Sequence, residues 1–339
     1  MSVKVSFAVA IYNVADYIEE CVRSLYEQTL NEIEIILVDD CTPDDSIDIA
    51  LKALEDYPNR KSQVRVIRHE QNQGSAITKR EGIMNATGEY VIGIDGDDYV
   101  DKRMAALMYA KAVETGADMV ICDYYRVIGD QLVADTQVPD GVIGNGENVR
   151  RDLIHRRLPP FHWTKLVRRN LYENDNIVWP IGSLGEDTVF TVVTTYYAKS
   201  IAHVKEPLYF YQYSASSITR GNHSEEKCMR NYNDFKQNFT IAWDFLKREG
   251  VSEKYKRGEV INKLRTKNRL LPVTDKWKYR KLWWKTFPEI NKVLLFGNDC
   301  YKATYKDWVW VVAIMAGLYP RYKRKLRSRR YLPTGEWIV

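Results

Sequence analysis

Over the first 125 residues, apolar blocks alternate between two periods. Residues 3–11 form a predominantly apolar run of the length of a buried strand. Residues 16–28 carry Ile18, Val22 and Leu25 at helical spacing, one stripe facing a sheet. Residues 34–38 read as a second strand ending in Asp39 and Asp40, and 64–69 as a third. Between them, Thr42-Pro43-Asp44-Asp45 has the composition of a helix start, with Thr42 as cap and Pro43 at the first helical position. A helix is expected from Asn72-Gln73-Gly74 to about Asn85, with Gly88 ending it before a strand at 90–94. A helix over 104–115 and a strand over 119–125 follow. Strand and helix in short alternation predict an α/β fold, a mostly parallel, Rossmann-like sheet with helices on both faces.

The block at 90–98 draws the rest together. Tyr90-Val91-Ile92-Gly93-Ile94 leads into Asp95-Gly96-Asp97-Asp98. Unpaired carboxylates cannot lie in a buried strand centre, so these belong at its C-terminal end, where open α/β sheets bind ligands. If the backbone stays extended, Asp95 and Asp97 point to one side and offer hard oxygen ligands to Mg²⁺ or Mn²⁺ and so to a diphosphate. An acidic turn capping the next helix is the plainer alternative. No Gly-x-Gly-x-x-Gly follows the first strand and there is no Walker loop, so a dinucleotide site or P-loop is unsupported.

Charge divides the chain. Residues 1–220 hold 23 Lys/Arg against 33 Asp/Glu, and the remainder 27 against 12. The acidic part argues against nucleic acid, and the basic part is a candidate for an anionic surface. Five scattered cysteines show no metal spacing and fit reduced thiols. The first apolar run is too short for a signal peptide, and no run reaches the roughly 18–20 apolar residues of a membrane span. These features predict a cytoplasmic protein.

The ordered set of residues 5–13, Val38-Asp39-Asp40, Asn72-x-Gly74, Ala86-x-Gly88-Glu89-Tyr90 and Asp95-Gly96-Asp97-Asp98 resembles glycosyltransferase family 2. The resemblance continues through Trp163-x-Lys165-Leu166, Gly185-Glu186-Asp187-x-x-Phe190, residues 207–211 and Ser216-Ser217-Ile218-Thr219, and covers roughly 3–220. It implies a GT-A fold over 1–222, with a nucleotide-sugar-binding half (1–125) and an acceptor half (126–222), followed by a helical, basic-aromatic appendage at 223–339. It implies an inverting enzyme that takes a nucleotide-diphospho sugar, a UDP-sugar, and glycosylates a hydroxyl of a glycan or lipid-linked acceptor in surface-polysaccharide synthesis.

Roles follow residue by residue from that resemblance. Ala10, Ile11 and Tyr12 would hold base and ribose by backbone, and Asp40, with Asp39 beside it, would accept from the uracil imide. Asp97, helped by Asp95 or Asp98 across Gly96, would ligate the Mn²⁺ or Mg²⁺ that neutralises the leaving diphosphate. Where the family shows Ala-Arg-Asn, this chain has Thr78-Lys79-Arg80, so Lys79 keeps the cation facing the nucleotide without bidentate geometry. Asp187 would be the general base, with Glu186 contacting the acceptor or orienting the loop, and Trp163 and Lys165 would line the acceptor side, with a core position as the alternative for Trp163. The histidines show no ligand spacing and receive no chemistry. Residues 214–222 occupy the place of a closing loop or a linker.

In the last third, residues 227–249 and 253–270 read as helices. Residues 277–285 mix Trp with Lys and Arg, and the apolar run 308–318 precedes seven cations in Arg321–Arg330. Such a pattern predicts peripheral association with an anionic membrane, on its inner face, with a packed helical appendage as the alternative. Two other functions compete: a sugar-phosphate nucleotidyltransferase, which would want an Arg/Lys-bearing Gly-rich loop where Tyr12-Asn13-Val14-Ala15 stands, and a non-catalytic binding protein. A processive polymerase is disfavoured because Gln-x-x-Arg-Trp is absent.

Overall fold

A computed structural model describes residues 2–135, 147–154, 160–212 and 224–319. The chain divides into two compact units, Met1–Thr219 and Arg220–Val339.

In the first unit, β1 (Val5–Ile11), β2 (Ile33–Asp39), β3 (Val64–Arg68) and β4 (Tyr90–Asp95) alternate with α1 (Ile18–Tyr26), α2 (Ser46–Leu54) and α3 (Ser75–Met84). These four strands lie parallel in the order β3-β2-β1-β4, as the short alternation predicts. Next in sequence come β5 (Tyr99–Val100), α4 (Met104–Thr115), β6 (Met119–Ile128), β7 (Gln131–Asp135) and α5 (Glu147–Ile154). They are followed by β8 (Lys165–Arg168), α6 (Glu186–Tyr197) and β9 (Ile201–Gln212). Here the sheet becomes mixed: β8 inserts antiparallel between β4 and β6, β9 runs parallel to β6, and β5 and β7 pair antiparallel with β9 and β6. The order is β3-β2-β1-β4-β8-β6-β9-β5, with β7 beside β6.

Helices cover both faces because both sides of each central strand are apolar. Ile18, Cys21, Val22 and Leu25 of α1 bury one stripe against Phe7, Val9, Ile35 and Leu37. Ile83 of α3 packs on the opposite face with Ala8, Ile36 and Val38. Each fully buried aliphatic side chain contributes about 1.5–3 kcal/mol relative to exposure. The helix start expected at Thr42-Pro43 is displaced, since α2 begins at Ser46. Thr42 and Asp44 are spent on other bonds: the Thr42 hydroxyl donates to Asp44 Oδ1 (2.6 Å), which also accepts from the Ser46 hydroxyl (2.5 Å).

The second unit is helical: α7 (Glu225–Arg248), α8 (Lys256–Asn268), α9 (Trp277–Lys285), α10 (Pro288–Phe296) and α11 (Tyr305–Met315). Ser224 caps α7 by accepting from Lys227 N, and Thr304 and Asp307 form a reciprocal capping box on α11. Tyr232, Leu264, Leu270, Trp283, Ile290 and Ile314 make its core. Lys267 is buried among them. Its Nζ donates to Thr286 O (2.8 Å) and Asn291 Oδ1 (2.5 Å) and stands 4.1 Å from the centre of the Trp283 ring. By contrast, Phe296 and Tyr305 are 80% and 82% exposed, and Trp277, Trp308, Val312 and Leu318 are exposed too. Among the described residues no helix is long and apolar enough to cross a membrane. The cationic run Arg321–Arg330, the stretch 214–222 and the Ser216-to-Thr219 motif lie outside the described residues.

Candidate active site

The site forms where β1, β2 and β4 end together. Register pairs Ile11 with Asp39 and Ala10 with Asp95, so carboxylates flank the end of β1 on both sides. Asp40 N donates to Ile11 O (3.0 Å) and Gly96 N to Ala10 O (3.2 Å). A Cβ on Gly96 would stand 2.8 Å from Ala10 O, so only glycine lets the acidic turn approach β1 this closely. Beyond these ends, Asn13 and Cys41 adopt left-handed backbone (φ 54° and 55°), each costing about 1–2 kcal/mol. Surrounding bonds hold that conformation. Asn13 N donates to the Thr42 hydroxyl (2.8 Å), Val14 N to the Ser46 hydroxyl (3.0 Å) and Ala15 N to Asp44 (2.9 Å). Tyr12, expected at the base and ribose, has an exposed ring.

Asp40, expected to read the base, is also bonded within the protein. Its Oδ1 accepts from Gln73 N (2.7 Å) and lies 2.7 Å from His69 Nδ1, while Oδ2 accepts from Gly74 N (2.9 Å). His69 Nε2 reaches Glu81 at 2.8 Å. Burial opposes charge on His69, but the two carboxylates outweigh it and raise its pKa. Asp40 thus fixes the 73–74 turn that opens α3, and Asp39 accepts from Thr42 N (2.9 Å) beside it.

At the acidic turn the extended-backbone premise fails. β4 ends at Asp95, and Asp98 N donates back to Asp95 O (3.1 Å), closing a turn. Asp95 Oδ1 is 2.9 Å from Lys79 Nζ, and Asp97 is half-buried in the turn. Asp98 does not join them as a ligand. It is buried, with Oδ2 accepting from the Tyr209 hydroxyl (2.6 Å) and Oδ1 from Gln212 N (2.7 Å). Burial, reinforced by Asp97 and Asp95, pushes its carboxyl well above the usual range. Asp98 therefore anchors β9 to the turn. Among the described residues no three His, Cys, Asp or Glu side chains form a protein-only metal cage.

Glu186 and Asp187 open α6, after Gly185 (φ 82°). Glu186 is buried, and its Oε1 accepts from Lys79 Nζ (3.1 Å) and the Ser75 hydroxyl (3.4 Å). Lys79 thus joins the acidic turn of β4 to the start of α6. Burial works against its charge, yet Asp95, Glu186 and Asp187 raise its pKa well above the ordinary lysine value. Asp187 Oδ1 lies 2.7 Å from His162 Nδ1. The two acids are driven apart. Burial pushes Glu186 up, against the pull of Lys79 and with the charge of Asp187. Burial would raise Asp187 as well, but His162, Lys79 and Lys165 hold its carboxyl well below the usual range. Neighbouring acids with separated pKa values are the pattern of divided acid–base roles.

Residues 6–185, more than half of the chain, match the model of Glycosyl transferase family 2. The chain belongs to glycosyltransferase family 2. It is 35% identical to the uncharacterized glycosyltransferase EpsJ of Bacillus subtilis over 223 residues, covering 63% of this chain and 62% of EpsJ. It is 34% identical to the putative glycosyltransferase EpsH of the same organism, covering 64% and 62%. The matched part thus spans under two thirds of these relatives' own length. Among solved structures, Staphylococcus aureus TarS 1–349 in complex with UDP-GlcNAc aligns at a TM-score of 0.56 and 21% identity, over 97% of this chain and 93% of that one. A Pyrobaculum calidifontis mannosyltransferase in complex with GDP-Man and Mn²⁺ aligns at 0.52 and 17%, over 97% and 89%. The fold is that of the GT-A glycosyltransferases, with C-terminal helices added.

In this family 2 chain, Trp163 is not the open sugar platform that its expected acceptor role requires. It is 3% exposed, stacked on Phe161 (4.6 Å), Tyr209 (4.2 Å) and Tyr211 (5.6 Å) and met edge-on by Tyr124. Both faces are covered, so it belongs to the core. Lys165, also expected on the acceptor side, is buried and donates to Phe161 O. Arg80 lies 5.3 Å from the centre of the Trp179 ring at an exposed position, as a solvated helix face would have it. The residues passed over were His69 and His162. The partners Asp40 of His69 and Asp187 of His162 lie 29 and 25 residues away, and Glu81 lies 12 from His69, so no short-range spacing marks either. The one available signal was that His162 directly precedes Trp163-x-Lys165.

Proposed function

We propose that the chain is an inverting glycosyltransferase that moves one sugar from a nucleotide-diphospho donor, a UDP-sugar, to a hydroxyl of a glycan or lipid-linked acceptor in surface-polysaccharide synthesis. The observation that carries this reading is the buried Lys79, which bonds at once to Asp95 of the donor-side turn and Glu186 of the acceptor-side helix. The end of β1, with Tyr12 exposed beside it, is the place for nucleoside, and Asp39 and Asp40 hold the loops that frame it.

Asp97 and Asp95 would hold Mn²⁺ or Mg²⁺. Two carboxylates at one turn fit a cation whose remaining ligands are diphosphate oxygens and water. When bound, the cation neutralises charge developing on the leaving diphosphate. The acceptor hydroxyl oxygen attacks the anomeric carbon from the face opposite the diphosphate. Its proton passes to Asp187, and the electron pair of the breaking C–O bond leaves with the nucleotide. Asp187 is suited to this because it stays ionised, and a carboxylate takes the proton only as the hydroxyl becomes acidic during attack. Glu186, held by Lys79, contacts the acceptor or orients its loop.

The C-terminal unit would seat the enzyme peripherally on the inner face of an anionic membrane. Tyr305, Trp308 and Val312 lie on an exposed face of α11, and the next residues in sequence carry seven cations in Arg321–Arg330. Nucleic acid is not a partner in this reading.

A panel of UDP-, GDP- and dTDP-sugars, scored for metal-dependent nucleotide release, tests the proposal. Release from a UDP-sugar at the highest rate is expected. Turnover of a GDP- or dTDP-sugar alone would replace the donor, and release from none of them with Mn²⁺ or Mg²⁺ present would overturn the reading.

A further inference from the structure

His162 lies in a single 3-10 turn, His162–Thr164, just before β8, and is buried. Three contacts fix its ring. Nδ1 lies 2.7 Å from Asp187 Oδ1, and the ring is 5.8 Å from that of Phe190 at an interplanar angle of 29°. The opposite edge rests on Gly93 of β4, where a Cβ would come within 2.6 Å of Cδ2 and 2.8 Å of Nε2. Gly93 is thus the position that admits the imidazole against the strand.

The two ring nitrogens have unequal surroundings. Nε2 is buried and has no hydrogen-bond partner among the described residues. A proton there would leave a buried N–H without an acceptor, whereas a proton on Nδ1 donates to a carboxylate. The environment therefore selects the tautomer protonated at Nδ1. The charged groups that act on Asp187 are Lys79 of α3, Lys165 of β8 and Glu186 of α6.

We infer that His162 is a positioning residue for the acceptor step: its Nδ1–H fixes Oδ1 of Asp187 and leaves the second carboxylate oxygen to receive the acceptor proton. The inference rests on the reading of Asp187 as the base. Its logic reverses the serine-hydrolase arrangement, in which a carboxylate orients the histidine. Here the histidine orients the carboxylate that does the chemistry, and by bonding to its charged form keeps it ionised.

The test is a carboxyl-carbon NMR titration of protein labelled at Asp Cγ, with the Asp187 signal assigned by its loss in Asp187→Asn. Wild type, His162→Asn and His162→Phe are compared. The asparagine amide can place an N–H near the position of Nδ1, and phenylalanine fills the space without a donor. Asp187 should titrate low in wild type and His162→Asn, and about one pH unit or more higher in His162→Phe. UDP affinity by calorimetry should change less than about twofold in either variant. An unchanged midpoint in His162→Phe, or equal rises in both variants, would overturn the inference. If His162→Phe does not fold, two-bond proton–nitrogen spectra of wild-type histidines decide: protonated Nδ1 supports the inference, and protonated Nε2 contradicts it. Transfer at the wild-type rate by Asp187→Asn would remove the base reading separately, even where the titration shows the pair.

Discussion

In the N-terminal unit, several charge pairs meet where the parallel strands end: Lys79 with Asp95 and Glu186, Asp187 with His162, Asp40 with His69. In the C-terminal unit, Lys267 is buried with no carboxylate bonded to it among the described residues, while aromatic residues stand in solvent. The first arrangement stores paired charge where strands end, which is costly to the fold unless each group is compensated. The second leaves apolar surface uncovered next in sequence to a cationic run. On the proposed reading the contrast separates a site of chemistry from a surface that would dock, and each side of it can be broken by substitution.

The largest effect is expected at Asp187. In Asp187→Asn, donor affinity should persist while transfer falls by about two to four orders of magnitude, roughly 3–5 kcal/mol of transition-state stabilisation. Single-turnover kinetics beside UDP calorimetry check this. Loss of donor binding would instead place Asp187 on the donor side.

On the docking side, replacing Phe296, Tyr305 and Trp308 by Ser should weaken co-sedimentation with phosphatidylglycerol-containing vesicles about tenfold or more, without lowering nucleotide release. All three side chains are largely in solvent, so folding should survive. High salt should weaken wild-type binding without abolishing it, since the cations contribute about 1 kcal/mol each and are screened, while the apolar contribution remains. Failure of the wild type to co-sediment at low salt would leave the C-terminal unit as a packed appendage.

The smallest effect concerns Lys267. Burial brings its pKa down to about 7, against roughly 10.4 in an unfolded chain. Between these values the unfolded chain holds a proton that the folded one has shed, so stability rises as pH rises through that window and is level below it. Lys267→Met should flatten that dependence, by roughly 1–3 kcal/mol between pH 7 and 10 in chemical unfolding. An unchanged slope would mean that the ammonium, held by Thr286 O, Asn291 and Trp283, keeps its proton.

Much of the fold was legible because burial on both faces of β1, β2 and β4 leaves long apolar runs, with acids at the ends of β2 and β4. The mixed half was not, because β8 is four residues long and its antiparallel insertion leaves no local mark. Within the site, residue types were readable and their partners were not. Asp98 looked equivalent to Asp97, yet the turn at Asp95 sends it to Tyr209, more than a hundred residues away. Trp163 was open to an acceptor-side or a core reading, and only the assembled sheet reveals the rings of Tyr209 and Tyr211 against it. His162 was passed over because its meaning depends on Asp187 and Gly93, both brought to it by tertiary structure.

On the proposed reading, the ends of β1, β2 and β4 bind a nucleoside diphosphate through the acidic turn. Calorimetric titration of UDP into wild type and Asp97→Ala, each with and without Mn²⁺, tests it most directly. Wild-type affinity should rise at least tenfold with Mn²⁺, and the folded Asp97→Ala variant should lose that increment. Metal-dependent affinity unchanged in Asp97→Ala, or a wild type indifferent to Mn²⁺, would contradict the account.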